Sequence, residues 1–199
     1  FARLTEKGYV YRGLKPVNWC ASCETALAEA EVEYEDHVSP SVYVKFSVKD
    51  AGKISGLSVE KKLCLLIWTT TPWTLLANVA VAVHPQYEYV FVDVGREILV
   101  LEESLSVPVL AKAGITEFKM IQKVRGDLLK GMTYEHPFGA AASCRVITTD
   151  YVTKEDGTGL VHTAPGHGQE DYQAGVANGL EILMPVNDHG VFTADAGRF

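Results

Sequence analysis

Along "SVYVKFSV" (41–48), apolar and polar positions alternate, with Val42, Val44, Phe46 and Val48 on one face. That period of two predicts a strand with one buried side. "KKLCLLIWTTT" (61–71) is more continuously apolar, as expected of a buried strand. "NVAVAVHP" (78–85) alternates again and ends at Pro85. "YEYVFVDV" and "EILVLEESL" flank Gly95-Arg96 and predict a hairpin. "RVITTDYVT" and "GTGLVHTA" flank "KEDG" and predict another hairpin or tight connection. Helix signals are few. "ARLTEKGY" would stop at Gly8, and "GQEDYQAGVANGL" (168–180) would stop at Gly179. "ETALAEAEVEY" fits a helix by its alanines and a strand by its alternation, and "HGVFTADAGRF" reads as turns.

Many strands with short polar joints and one or two helices predict a mostly β, barrel-like domain. A doubly wound fold needs long helices between strands, and these are missing. No GxGxxG stands at a strand–helix junction and no P-loop occurs, so ATP chemistry within these residues is not expected. The 199 residues suffice for one packed domain with a small appendage, divided here as a linking segment (1–39) and a main domain (40–199). The 47% apolar and 22% charged fractions are globular values. A formal charge of −7 argues against a generic nucleic-acid coat protein, though not against one local contact with RNA. The opening residues lack a signal-peptide pattern, and the longest apolar runs are too short to span a bilayer. Phe1 in place of an initiator methionine suggests a piece of a longer protein.

Four cysteines are too few for a disulfide scaffold. Cys64 and Cys144 sit in apolar runs and read as core. Cys20 and Cys23, in "NWCASC", have the CxxC spacing of a zinc knuckle. One such pair is half of a four-ligand site, so any zinc would take its other ligands from outside these residues; a redox pair and an inert pair are the alternatives.

Two polar stretches carry the candidate chemistry. "GTGLVHTAPGHGQEDY" (157–172) holds His162, His167, Glu170 and Asp171 among glycines. Acids in the first turn of a helix suit its dipole without any function, and His162 after "GLV" fits a satisfied core histidine. The spacing matches neither HExxH nor a standard zinc pattern. "WTTTPWTLLAN" (68–78) has four threonines and no charge. Without a GxSxG or an adjacent base these are weak nucleophiles, better used as hydrogen-bond partners. Pro72 would force the chain out of the sheet and expose their backbone groups. The composition suits a small polar ligand bearing an amine, with Asp171 as the ammonium partner and water placed by threonine and backbone groups.

"KPVNWCASCETALAEAEVEYEDHVSPSVYVKF", "IWTTTPWTLLANVAVAVHP" and "DGTGLVHTAPGHGQEDY" resemble the inserted editing domain, connective polypeptide 1, of the isoleucyl type of class I aminoacyl-tRNA synthetases. The resemblance covers nearly all of the chain. Thr71 stands where the valyl and leucyl relatives carry arginine, and Leu76 where proline is common. The resemblance implies a deacylase that hydrolyses the ester of mischarged Val-tRNA(Ile), with valyl-adenylate as a further candidate substrate, and excludes isoleucine by pocket size. By motif, Asp171 resembles the carboxylate that grips the α-ammonium, and His162 the residue that shapes the aminoacyl pocket. Thr70, Thr71 and Asn78 resemble residues near the acyl group and terminal adenosine, with Thr69 and Trp73 as neighbours. Catalysis then falls to Asp171, His162 and Thr71, and His167 is the weaker candidate. Implied partners are the 3′ end of tRNA(Ile) carrying valine and the rest of the same synthetase chain, in a cytoplasmic monomer away from membranes. Editing itself would need no cofactor. ATP and Mg would serve the catalytic domain of the longer protein, and Cys20 and Cys23 would give half of its zinc site.

Overall fold

The computed structural model describes residues 1–49, 54, 60–139 and 144–197. In chain order the elements are α1 (Ala2–Glu6), β1 (Asn18–Cys20), β2 (Thr25–Leu27), β3 (Val42–Ser47), β4 (Lys62–Thr69), β5 (Ala80–Val83), β6 (Glu88–Asp93), β7 (Glu97–Glu102), α2 (Glu103–Lys112), β8 (Lys119–Arg125), β9 (Thr133–Tyr134), β10 (Cys144–Thr148), β11 (Leu160–Thr163) and α3 (Gln169–Asn178). They form a five-stranded sheet ordered β3-β4-β7-β6-β8, a four-stranded sheet ordered β11-β5-β10-β9, and the small hairpin β1-β2. No helix among the described residues is long and apolar enough to cross a membrane.

The domain is mostly β with a few helices, but it is not the barrel expected from the sequence. A barrel requires the outer strands of a sheet to pair with each other. Here β3 and β8 remain opposite edges of one sheet, and β11 and β9 of the other. Among the described residues, one isolated antiparallel bridge joins the two sheets, Val48 with Tyr134. Their inner faces share one core that includes Phe46, Leu65, Ile67, Phe91, Val146 and Leu160. The edge strand β8 is largely exposed and carries Lys119, Lys123 and Arg125, charges that discourage further pairing.

Local patterns explain the layers. β4 lies between β3 and β7, which accounts for its continuous apolar run. In β5, Val81 and Val83 enter the core between the sheets, whereas Ala80 and Ala82 pack on the other face with Ile147, Val152 and Ala174 of α3. The small alanine side chains let α3 lie close to the sheet. The Gly95-Arg96 hairpin forms as expected, β6 pairing antiparallel with β7. β10 and β11 do not form a hairpin with each other. Both pair with β5, which runs between them. The ambiguous 24–34 stretch resolves into β2 and a 3-10 turn at Glu29–Glu31. The final turn-rich stretch closes a bridge between Val186 and Phe192, and its last two positions, 198 and 199, lie outside the described residues.

Gly159 shows how tightly the start of β11 crosses β7. Its φ is +71°, and a Cβ there would lie 2.3 Å from the Cβ of Glu102. Gly159→Ala combines a disfavoured backbone with overpacking and is expected to destabilise the fold by about 2–4 kcal/mol. The midpoint of urea unfolding measures it; an unchanged midpoint would contradict this packing.

Candidate functional site

Three elements converge on one cavity. β4 ends at Thr69, and Pro72 opens a 3-10 turn, Pro72–Ala77. Proline is favoured at that first position because its missing N–H would have no partner there. The turn folds Thr74 back over Thr71, whose carbonyl accepts from the Thr74 N–H at 3.0 Å and from its hydroxyl at 2.9 Å. β11 supplies His162 beside Val81 of β5. The loop 164–168 then leads into α3, whose first turn carries Asp171. A Cβ on Gly175 would lie 2.8 Å from Cγ of Pro165, so this glycine lets the helix close on the loop.

The cavity has a volume of about 390 Å³ and is lined by Trp68, Thr69, Thr71, Trp73, Thr74, Val161, His162, His167, Gly168 and Asp171. Among the described residues, Asp171 is the one acid in that wall. Its Oδ2 accepts from the Ala164 N–H at 2.8 Å, and its Oδ1 lies 3.4 Å from the Tyr151 hydroxyl. Burial pushes its carboxyl above the ordinary aspartate range, and the Ala164 N–H and Tyr151 hydroxyl partly offset this. A desolvated carboxylate with free lone pairs facing a cavity favours a cation. Burial also drives the Tyr151 hydroxyl up to about 12, so it remains a donor.

Thr69, Thr71 and Thr74 form a hydroxyl cluster. The Thr71 N–H donates to Thr69 Oγ1 at 3.1 Å, and the Thr71 hydroxyl lies 3.2 Å from that of Thr69 and 3.4 Å from that of Thr74. Of the residues singled out in the sequence, Asp171, His162, Thr69, Thr71 and Trp73 share this cavity. Thr70 is exposed and outside the lining, its carbonyl accepting from the Ser39 hydroxyl at 2.9 Å. Asn78 is fully buried behind the wall, its amide facing the Ala80 carbonyl, His162 and the Tyr134 hydroxyl. His167, the weaker candidate in the sequence, does line the cavity; burial lowers its pKa, and its Nε2 has no hydrogen-bond partner among the described residues. Trp68, Thr74 and Val161 complete a wall that motif spacing did not single out.

His162 does not fit a metal ligand. Its Nδ1 lies 2.8 Å from the Asn78 amide and its Nε2 2.9 Å from the Thr74 hydroxyl, so both ring nitrogens are engaged. Among the described residues no group of three or more His, Cys, Asp or Glu could hold a metal ion. Cys20 ends β1 and Cys23 lies in the following turn, where its N–H points at Cys20 Sγ at 3.4 Å. Turn amides of Cys23 and Ser22 lower the Cys20 thiol pKa, an environment that suits a thiolate ligand.

Burial is the main force pushing His162 from about 6.5 down to about 4, with His167 and His136 adding to it. The unfolded chain therefore binds this proton first, so the stability due to neutral His162 is present above about pH 6.5 and is lost as pH falls toward 4. Between pH 7 and pH 5 the loss from this group is about 2 kcal/mol. Urea unfolding at both pH values should show it, with the dependence reduced in His162→Gln. An equal dependence in both proteins would assign it elsewhere.

A larger cavity of about 780 Å³ adjoins the first, sharing Trp73 and His167 and lined also by Trp19, Tyr172, Met184 and Phe192. The β1–β2 hairpin closes one side, the Trp19 ring N–H donating to the Asp188 carbonyl at 2.8 Å.

The family model and the relatives show an editing (CP1) domain of a class I aminoacyl-tRNA synthetase, homologous to those of the isoleucyl and leucyl enzymes. Residues 1–167 match the family model of class I tRNA synthetases (I, L, M and V), and the chain belongs to that family. Over 199 residues it is 50% identical to the isoleucine–tRNA ligase of Fervidobacterium nodosum, covering all of this chain and 21% of that protein. It is 49% identical to the isoleucine–tRNA ligase of Moorella thermoacetica over the same length, again 21% of the relative. The chain thus spans about a fifth of these curated relatives. The P. knowlesi cytosolic leucyl-tRNA synthetase editing domain shares the fold, with a TM-score of 0.58 and 17% identity over 66% of this chain and 59% of that one. The GlLeuRS CP1 crystal structure gives 0.57 and 18% over 67% and 58%.

Proposed function

We propose that this domain hydrolyses the ester of Val-tRNA(Ile) and rejects isoleucine by pocket size. The observation that carries the proposal is Asp171, a half-buried carboxylate facing a cavity whose other walls are threonine, tryptophan, valine and histidine. The α-ammonium of an aminoacyl ester is the natural partner for that charge. The apolar side chain then lies toward Trp68 and Val161. A second sieve is needed because one methylene is worth only about 1–3 kcal/mol in an apolar pocket, a general range for which isoleucine against valine is itself the reference case.

The chemistry is hydrolysis by placement. Thr69 and Thr71 hydroxyls hold the ester and a water. The water attacks the ester carbonyl carbon, the carbon–oxygen bond to the ribose breaks, and the adenosine hydroxyl leaves with a proton. The vicinal ribose hydroxyl helps orient the water. The adjoining aromatic cavity is large enough for the terminal nucleoside, since bases stack readily on Trp faces. Valyl-adenylate presents the same ammonium and acyl groups and is a second substrate of the same site. The wider setting we propose is isoleucine ligation by the longer protein, the activity named for the relatives. Deacylation of Val-tRNA(Ile) beside Ile-tRNA(Ile) tests the reading, and equal rates for both would overturn it.

A further inference from the structure

We propose that Tyr134 and Asn78 form a buried relay that fixes His162 in its neutral, Nε2-protonated tautomer, so that the ring donates to Thr74 in the cavity wall. The hydrogen-bond directions follow one from another. The Ala80 carbonyl can only accept, so the atom of Asn78 that lies 2.9 Å from it is the amide nitrogen. The other terminal atom is then Oδ1, and the Tyr134 hydroxyl donates to it at 2.6 Å. One amide proton goes to Ala80 and the second to His162 Nδ1 at 2.8 Å. His162 Nδ1 must therefore accept, which leaves the ring proton on Nε2. That proton faces the Thr74 hydroxyl at 2.9 Å, and the Thr74 proton in turn goes to the Thr71 carbonyl at 2.9 Å.

The opposite tautomer would set an Nδ1–H against an amide N–H in a place where water cannot intervene. Tyr134 is 1% exposed, Asn78 0% and His162 7%. Mispaired donors at such depth are costly, so the network holds one arrangement. Two consequences follow. His162 cannot serve as a general base, because its one basic nitrogen is capped by Asn78. Thr74 has its proton and a lone pair already committed, so Thr69 and Thr71 are the hydroxyls left to address a ligand. Tyr134 is thus a positioning residue, acting on the cavity through Asn78 and His162. Donors fixed in advance spare the site reorganisation during reaction.

The proposal rests on the editing reading only for its effect on rate. The test is ring-nitrogen NMR of the ¹⁵N-labelled 199-residue chain, which separates a protonated from a bare imidazole nitrogen. The expected wild-type spectrum shows His162 with Nε2 protonated and Nδ1 bare; an Nδ1–H form or a mixture overturns the relay. Tyr134→Phe keeps the ring stacked 5.2 Å from Phe46 and removes only the hydroxyl. It leaves Asn78 oriented by the Ala80 carbonyl alone, so it should add a minor Nδ1–H population beside the Nε2–H form and lower kcat for Val-tRNA(Ile) about three- to tenfold with KM nearly unchanged. Wild-type nitrogen shifts and kcat in Tyr134→Phe would remove Tyr134 from the relay. Asn78→Asp offers no N–H and should move the ring proton to Nδ1, whereas Thr74→Val should leave it on Nε2. Because Asn78→Asp buries a charge, the wild-type and Tyr134→Phe spectra decide the matter if it does not fold. A wild-type chain that shows the expected tautomer yet hydrolyses nothing would sink the editing reading and leave the relay standing.

Discussion

Asp171→Ala is expected to abolish measurable hydrolysis of Val-tRNA(Ile). Among the described residues the carboxylate is the one acid in the cavity wall, where a ligand ammonium would seek its partner. Losing one partner of such a charge pair costs about 3–5 kcal/mol, which is a fall of about 10²- to 5 × 10³-fold in kcat/KM. Asp171→Asn separates charge from shape. Its amide oxygen can still accept from the Ala164 N–H that now binds Oδ2 at 2.8 Å, so the loop 164–168 keeps its tie to α3. If charge matters, Asn is nearly as damaging as Ala. Thermal melting of both variants checks the fold, and removal of a desolvated carboxylate should leave Asp171→Asn close to wild type. Retained deacylation in Asp171→Ala would end the ammonium assignment.

Much of this site was legible because its polar residues are adjacent in sequence to strong structural punctuation. Pro72 announced where β4 ends, and the glycines around His167 announced the entry to α3. The barrel expectation failed for a different reason. Alternation shows which face of a strand is buried, but not whether an edge strand finds a partner, and among the described residues β8 and β11 pair on one side only. α2 was hidden by Pro108, which usually ends a helix; here only the bond from residue 108 back to Ser104 is forfeited, and Glu102 caps the start by accepting from the Leu105 N–H at 3.1 Å. β8 was hidden because an exposed edge strand lacks an apolar stripe. The family resemblance placed Asn78 near the acyl group and terminal adenosine. The actual partners of Asn78, Tyr134 and His162, are 56 and 84 positions away, and only the fold brings them together. Tyr134 carried no motif at all.

His162→Ala should open the pocket to isoleucine. The ring lies in the cavity wall but is held from behind by Asn78 and from the side by Thr74, so it cannot swing away from a larger side chain. A rigid wall rejects an extra methylene where a mobile one would yield, and removing the ring leaves more space than that methylene needs. The expected result is hydrolysis of correctly charged Ile-tRNA(Ile), with the Val-to-Ile ratio of kcat/KM falling at least about tenfold, within the 1–3 kcal/mol that one methylene can carry. Valine hydrolysis itself should drop, because Thr74 loses its donor and Asn78 one acceptor. His162→Gln restores some bulk and an N–H, and should recover exclusion before it recovers rate. A His162→Ala chain that loses valine hydrolysis while still sparing Ile-tRNA(Ile) would make the ring a support for Thr74 and not the wall that measures the side chain.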